Sequence, residues 1–149
     1  MNIEDEIAQY NFPSPQEKGI VNVIFTSNWV TNMLLEELKP FDINEQHFNI
    51  LRILRGRFPG YACPGEIKKI LINKKGDLTR LLDKLVRKGY IDRRQDEKNR
   101  RSIQYFILQE GLDILSQLDK SNKHMSEITG KISDEEAEEL NRILDKLRN

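Results

Sequence analysis

The sequence contains a single cysteine, two histidines and no hydrophobic run long enough to cross a membrane. One thiol, Cys63, can form neither an internal disulfide nor a cysteine cluster for zinc. The uncharged stretch from Ile20 to Leu35 has sixteen residues, fewer than the ~20 that span a bilayer. The N-terminus is acidic and lacks the apolar segment of a signal peptide. We therefore expect a cytoplasmic protein with no membrane partner.

The sequence also has few glycines and prolines and no net charge. Eight Gly and five Pro in 149 residues exclude collagen-like and low-complexity chains. The chain has 24 basic and 24 acidic residues and a formal net charge of zero, whereas chains that stay disordered combine low hydrophobicity with high net charge. The length fits one folded unit over residues 1–149.

The balanced total hides a strongly basic centre. Residues 64–101 contain thirteen Lys or Arg and six Asp or Glu, a net charge of +7, between segments of −3 and −4. Such a distribution concentrates positive potential on one part of the surface. A run of charged residues usually forms a solvated helix face. The surrounding sequence pattern must therefore show whether this basic segment has a binding function instead.

The first half of the chain has the periodicity of helices. Residues 18–39 are apolar on most sides, and a helix of this kind needs cover on most sides; a second copy of the chain is the simplest cover. Pro40 ends this helix, and Asn44 is a suitable N-cap for the next. A third helix is predicted to begin at Pro64, a residue suited to a first turn.

The fourth helix has the clearest apolar stripe. Leu78, Leu81, Leu82, Leu85 and Val86 follow the i, i+3, i+4, i+7, i+8 spacing. We expect Asn73 to cap this helix and Gly89 to end it. Lys74 and Lys75 would then lie in its first turn and oppose the helix dipole at a cost of ~0.3–1 kcal/mol each. Phosphate contact would explain them, although merely tolerated exposed lysines remain the alternative.

Two strands and two further helices complete the pattern. Residues 90–94 and 103–108 are rich in β-branched and aromatic residues and enclose a charged turn, which predicts a hairpin with a basic tip. A long helix is predicted from Gln109 to about Thr129, and Ser133 opens a final helix with a capping box. Short helices, an amphipathic helix and a basic hairpin in this order predict a winged helix-turn-helix, a mainly α fold with one small β-hairpin (α+β). A helix fits the major groove, and a thin basic hairpin can reach the flanking backbone or minor groove.

Four segments follow the pattern of a known family: residues 43–51, Leu78-Thr79-Arg80-Leu81-Leu82-Asp83-Lys84-Leu85, Lys88-Gly89-Tyr90-Ile91 and the charged turn at 93–101. In these segments, and in Gly111 after the second strand, the sequence resembles the multiple antibiotic resistance regulator (MarR) family of bacterial transcription factors. The resemblance extends from about Lys18 onward.

The resemblance implies a homodimer that binds double-stranded DNA at a pseudo-palindromic operator as a transcriptional repressor. It implies helical dimerisation regions at 18–39 and 109–149 around a winged domain at 43–108. Asp96 would orient the arginines of the hairpin tip. Gly76 and Asp77 stand where many members have Ser and Thr, and Leu108 replaces a helix-capping Thr. The DNA contacts that follow are Lys74, Lys75, Gly76, Asp77, Thr79, Arg80, Lys84, Asp96, Lys98, Asn99, Arg100 and Arg101.

The resemblance also implies a small-molecule effector, often aromatic or anionic, bound between the dimerisation helices and the winged domain. Core or dimer packing is the competing role for the aromatic candidates. The candidate lining residues are Phe25, Asn28, Trp29, Asn32 and Met33.

Other classes of function have weaker support. An enzyme would have to use His47, His124 or Cys63, and the sequence has no Gly-rich phosphate loop, nucleophile elbow or paired metal-ligand spacing. We expect no catalytic activity, metal or cofactor. A winged domain that binds protein would leave the +7 segment unexplained. A redox sensor at Cys63 is the remaining alternative, and an unreactive small residue is the favoured interpretation.

Overall fold

The computed structural model describes residues 1–121 and 123–149 and confirms the predicted fold class, a mainly helical chain with one antiparallel hairpin. Among these residues no helix is long and apolar enough to cross a membrane. The elements are α1 (Ile3–Ile7), α2 (Pro15–Leu38), a 3₁₀ turn (Lys39–Phe41), α3 (Glu45–Arg57), α4 (Pro64–Ile70), α5 (Leu78–Arg87), β1 (Ile91–Gln95), β2 (Ile103–Ile107), α6 (Gln109–Lys120), α7 (Lys123–Thr129) and α8 (Asp134–Arg148).

The apolar core lies where α3 meets α2, α5, α6 and β2. Leu51 and Leu54 of α3 and Leu82 and Leu85 of α5 are fully or almost fully buried. Burying a leucine side chain contributes about 1.5–3 kcal/mol, so the apolar stripe of α5 attaches this helix firmly to α3. The opposite face of α5 stays in solvent.

Several helix ends match the sequence prediction. The Asn44 side chain accepts a hydrogen bond from the His47 backbone N–H at 2.9 Å, and Ser133 caps α8 in the predicted capping box. Gly89 has φ +74°, the left-handed conformation that suits a residue without Cβ. The following N–H, that of Tyr90, donates to the Leu85 carbonyl at 3.0 Å, which turns the chain from α5 into β1.

The hairpin is attached to the rest of the fold at its base. β1 pairs with β2 in the register Ile91↔Ile107, and a further bridge joins Ala62, before α4, to Tyr105. At the start of α6, a Cβ on Gly111 would lie 2.4 Å from the Tyr90 carbonyl oxygen. Glycine is therefore required there, because helix and hairpin base approach each other backbone to backbone.

The predicted single helix over 109–129 is wrong: α6 ends at Lys120 and α7 begins at Lys123, while position 122 lies outside the described residues. The Ser121 hydroxyl donates to the Leu118 carbonyl at 3.3 Å. Such a local side-chain bond offers the backbone an alternative to continuing the helix.

Two helices keep apolar side chains in solvent. Leu38 is the one fully buried residue of α2, and α8 has none. The exposed fractions reach 57% for Ile24 and 56% for Leu147. The exposed apolar residues of these helices are Ile20, Val23, Ile24, Trp29, Leu140, Ile143 and Leu147.

Candidate nucleic-acid interface

The exposed helix α5 begins four residues later than predicted. Asp77, not Asn73, is its N-cap, and the Asp77 carboxylate accepts a hydrogen bond from the Thr79 backbone N–H at 3.0 Å. Gly76 has φ +92°, which no helical residue adopts. The predicted cap at Asn73 is therefore wrong, and so is the argument from the helix dipole, because Lys74 and Lys75 lie in the loop before α5.

Side chains of α3 fix that loop in place through hydrogen bonds to its backbone. The Gln46 side-chain amide donates to the carbonyl of Asn73 at 3.2 Å and also to that of Lys75. The Asn49 side chain accepts from the Ile72 N–H at 3.0 Å. The Asn73 side chain folds back onto the Lys75 N–H at 3.0 Å. Sequence reasoning missed Gln46 and Asn49, because partners 23 to 29 residues away leave no local signal.

The first turn of α5 presents Thr79 and Arg80 to solvent. Arg80, Asp83, Lys84 and Arg87 of α5 line one cavity with His47 of α3. Three cations and one carboxylate of α5 thus lie around this cavity. Lys84 differs from Arg80 because it already has a partner. Its amino group lies 3.3 Å from the Asp42 carboxylate, and Lys88 lies at the same distance from the other oxygen.

Asp42 is a second residue that sequence reasoning missed. It has φ +51° at the end of the 3₁₀ turn, and its carboxylate thus bridges the end of α2 and the exposed helix α5. Hydrogen bonds from Lys84, and then from Lys88, lower the pKa of the Asp42 carboxyl. The Asp42 carboxylate therefore offsets part of the charge that Lys84 can present to a phosphate.

His47, which the sequence offered as a catalytic candidate, is a buried capping residue. It is 4% exposed, and its Nδ1 accepts a hydrogen bond from the Asn44 N–H at 3.1 Å. Burial, followed by the nearby charge of Lys84, lowers the pKa of His47 to about 4. The ring is thus neutral at pH 7 and completes the cap of α3.

The hairpin tip is shaped by side chains that bond its own backbone. Asp96 accepts from the Lys98 N–H at 2.9 Å, and Asn99 accepts from the Arg101 N–H at 3.3 Å. Gln95 donates to the Arg100 carbonyl at 2.5 Å. Among the described residues Asp96 forms no ion pair, and its carboxylate orders the backbone of the loop; its expected role in orienting the arginines stays a prediction.

The basic centre is mostly free of internal partners. Of the thirteen Lys and Arg residues at 64–101, only Lys84, Lys88 and Arg94 form ion pairs with carboxylates of the described residues. Elsewhere in the described chain, six Lys or Arg residues form such pairs. The unpaired cations are Lys68, Lys69, Lys74, Lys75, Arg80, Arg87, Arg93, Lys98, Arg100 and Arg101.

The structure therefore groups the predicted DNA contacts into two sets. One set lies in the loop before α5 and along α5, and the other occupies the hairpin tip. Within the described residues no hydrogen bond or ion pair joins the two sets, so they are connected through the turn at Gly89 and through the core.

A separate cleft of about 390 Å³ lies between α2, α3, α6 and α7. Of the five residues predicted to line an effector site, only Met33 lines this cleft. Trp29 is instead 41% exposed with Lys131 5.8 Å above its ring, and Asn28 and Asn32 are exposed. The other four predicted residues lie on a different face of α2 from the one that lines the cleft. The α2 residues in the cleft are Val30, Met33, Leu34 and Glu37.

The other chemistry-bearing candidates are dispersed. Cys63 is half-buried before α4, with its Sγ 3.7 Å from the Ser102 Oγ. His124 is exposed on α7, 3.9 Å from Glu127. The described residues contain no group of three His, Cys, Asp or Glu side chains that could hold a metal ion.

A helix-turn-helix of α4 and α5 supported by α3, followed by a basic hairpin, places the chain among the winged helix-turn-helix proteins. Comparison with known proteins is more specific. Residues 43–103 match the MarR family model. The multiple antibiotic resistance protein MarR of Salmonella typhimurium is 30% identical over 129 residues, covering 84% of this chain and 88% of that protein. The chain belongs to the MarR family.

Two further likenesses are informative. The transcriptional repressor MprA of Escherichia coli is 27% identical over 111 residues, which cover 74% of this chain and 63% of that protein. The crystal structure of a mutant MarR from Escherichia coli complexed with operator DNA has a TM-score of 0.72 at 27% identity and covers 99% of both chains.

Proposed function

We propose that the protein is a DNA-binding transcriptional repressor that acts as a homodimer. The observation that carries this proposal is the set of ten cations at 64–101 without ion-pair partners among the described residues. A cation without a carboxylate partner can neutralise a phosphate at no cost in internal contacts. Each neutralised phosphate releases condensed counterions, which favours binding.

α5 would lie in the major groove. Thr79 and Arg80 point to solvent from the turn that enters the groove first, and a bidentate arginine contact with guanine is worth ~1–3 kcal/mol of discrimination. Lys74 and Lys75 in the preceding loop would contact phosphates. The hairpin tip, with Lys98 and Arg100, would reach the flanking minor groove, whose negative potential attracts such side chains.

Dimerisation would use the exposed apolar side chains of α2 and α8, which a second copy would bury. The helical regions at 18–39 and 109–149 would then join the two chains, and the winged domain at 43–108 would carry DNA binding. Twofold symmetry would place the half-sites one helical turn apart, ~34–36 Å from centre to centre.

Repression is the proposed outcome, in keeping with the name of the relative MprA, and a genome-bound repressor would act in the cytoplasm. A small molecule in the α2–α3–α6–α7 cleft would control binding, because this cleft lies between the proposed dimer helices and the winged domain. The proposal includes no catalytic step, and His47 is already used in a cap.

The test is a fluorescence anisotropy titration with the DNA upstream of the protein's own gene. We expect affinity to fall steeply between ~50 and ~200 mM salt and Arg80→Ala to weaken binding by about 1–3 kcal/mol if Arg80 reads a guanine. Lys120→Ala is the matched control, since Lys120 is also exposed and unpaired among the described residues but lies at the end of α6.

Equal losses for the Arg80 and Lys120 variants would remove Arg80 from the interface. Absence of salt-dependent binding to any duplex would favour the alternative in which the winged domain binds another protein.

A further inference from the structure

Asp77 is a carboxylate at the point where the proposed groove-binding helix α5 begins. One of its oxygens, Oδ1, accepts a hydrogen bond from the Thr79 backbone N–H at 3.0 Å and so caps the helix. The residue is exposed, and its carboxylate forms no ion pair and no other hydrogen bond within the described chain. The second oxygen, Oδ2, is therefore free to accept a hydrogen bond from a ligand.

The backbone that leads to Asp77 has a fixed position. The Gln46 side chain of α3 donates to the Lys75 carbonyl, two residues before Asp77, and Gly76 turns the chain into the cap with φ +92°. The capping bond to Thr79 further restricts the Asp77 side chain. A group held in place before binding loses less conformational freedom when it binds, so Asp77 is suited to selective recognition.

The cations near Asp77 in the sequence do not neutralise it. Lys74 and Lys75 precede it, and Arg80 follows at the i, i+3 spacing that makes two residues neighbours on a helix surface. None of these three cations pairs with a carboxylate of the described residues. Asp77 thus places a negative charge among the cations proposed to bind DNA. A charge that loses water without gaining a hydrogen-bond partner costs free energy, so DNA binding requires a donor for Asp77.

The base edges of the major groove differ in what they offer to such a carboxylate. Guanine presents two acceptors, N7 and O6, and thymine presents the acceptor O4 and a methyl group. Adenine presents its N6 amino donor beside the acceptor N7, whereas cytosine presents the N4 amino donor alone. A carboxylate accepts hydrogen bonds and donates none. Cytosine is therefore the base whose edge fits Asp77 best.

We propose that Asp77 is a specificity-determining residue whose free oxygen accepts a hydrogen bond from the N4 amino group of one cytosine in each operator half-site. The same carboxylate disfavours guanine and thymine at that position, since their acceptors would face a negative charge. The inference rests on the proposed function, because it requires α5 to lie in the major groove. It gives Asp77, an acceptor, and Arg80, a donor, opposite preferences among the bases.

The test compares wild type with Asp77→Asn by selection from a pool of randomised duplexes. The preference is then measured by anisotropy with four duplexes that differ at one base pair. We expect wild type to prefer cytosine at one position of each half-site by at least about fivefold. Asp77→Asn should select adenine at that position, because asparagine pairs with adenine N6 and N7. Asparagine is as good an N-cap as aspartate, so a change of base does not reflect loss of the cap.

Asp83→Asn is the matched control, because it removes the same charge from the same helix. Asp83 is directed toward the hairpin: burial raises the pKa of Tyr105 in β2, and the nearby charge of Asp83 adds to this increase. Asp83→Asn should therefore keep the cytosine preference of wild type, even if the loss of a negative charge increases its affinity for every duplex.

Three results would overturn the inference and leave the proposed function standing: specific duplex binding by wild type with no cytosine preference, the same selected base for wild type and Asp77→Asn, or the same change of base in Asp83→Asn. Selection of no duplex by wild type would refute the proposed function and this inference together.

A second measurement needs only wild type and decides the matter if Asp77→Asn fails to fold. The selected cytosine is replaced by pyrimidin-2-one, which lacks the 4-amino group. We expect affinity at least about fivefold lower than for a duplex with the same replacement outside the half-sites. Equal affinities for the two duplexes would contradict a hydrogen bond from this amino group to Asp77.

Discussion

Asp42 is a single carboxylate that pairs with two cations, Lys84 of the proposed groove-binding helix α5 and Lys88 directly after it. Lys84 and Lys88 both lie 3.3 Å from it, so Asp42 offsets part of the charge that Lys84 presents to a DNA phosphate. We predict that Asp42→Asn tightens operator binding and steepens its salt dependence by up to ~0.9 in the log–log slope for one additional phosphate contact. Anisotropy titrations at several salt concentrations measure both quantities.

Glu36→Asn is the control for Asp42→Asn, because it changes net charge equally at a site paired with Lys39. Equal effects of the two variants would mean that net charge alone, and not release of Lys84, changes the affinity.

His47 makes the stability of the fold depend on pH. Its folded-state pKa of about 4 is below the ordinary value of 6.5, so between these values the unfolded chain binds more protons than the folded one. The His47 contribution is complete above pH 6.5 and is lost as the pH falls toward 4. We predict a loss of about 2 kcal/mol between pH 7 and pH 5, measured by urea unfolding.

His47→Gln should reduce this difference, whereas His124→Gln should leave it unchanged because His124 is exposed on α7. A pH dependence that is the same in wild type and His47→Gln would refute the assignment.

At the scale of elements, α3 acts as a support for the loop that precedes α5. Gln46 donates to the carbonyls of Asn73 and Lys75. We predict that Gln46→Glu weakens DNA binding, since a carboxylate cannot donate and repels carbonyl oxygens. The melting temperature should change little, because Gln46 lies outside the apolar core. Anisotropy and thermal unfolding together distinguish the two effects.

Glu45→Gln serves as the control for Gln46→Glu on the same turn of α3. A parallel loss of stability and affinity in Gln46→Glu would show a general structural role instead of support for the loop.

The start of α5 illustrates what the sequence could and could not predict. The apolar stripe from Leu78 to Val86 located the helix, because periodicity is a local property. Both Asn73 and Asp77 are good capping residues, and the pattern offered no means to choose between them. The choice depends on the positive φ of Gly76 and on hydrogen bonds from Gln46, which come from 27 and 29 residues away.

The lining of the cleft was missed for a similar reason. α2 is apolar on most sides, so its pattern does not identify which side faces α3 and which side stays open. The tertiary structure selects the side with Met33 and Glu37, and Trp29 falls on another.

At the scale of the whole molecule, we expect the exposed apolar side chains of α2 and α8 to form the interface of the proposed dimer. We predict that Ile24→Lys combined with Leu147→Lys converts the protein to a monomer, because each charge would have to be buried in the proposed interface. Size-exclusion chromatography with light scattering measures the mass. The monomer should also bind a full operator more weakly than the dimer.

Ile72→Lys is the control for the double variant. Ile72 is 84% exposed but lies between α4 and α5, so this variant should remain dimeric. A dimer that survives the substitutions in α2 and α8 would place the interface elsewhere on the chain.

The close approach at Gly111 has a mechanical consequence. A Cβ at Gly111 would lie less than 3 Å from both the Tyr90 carbonyl oxygen and an Ile107 side-chain carbon, so the backbone of α6 lies directly against the hairpin base, and packed interiors transmit displacements. We therefore expect a reorientation of α6 to move the hairpin with it and to displace the tip, where Lys98 and Arg100 lie, further than the hairpin base.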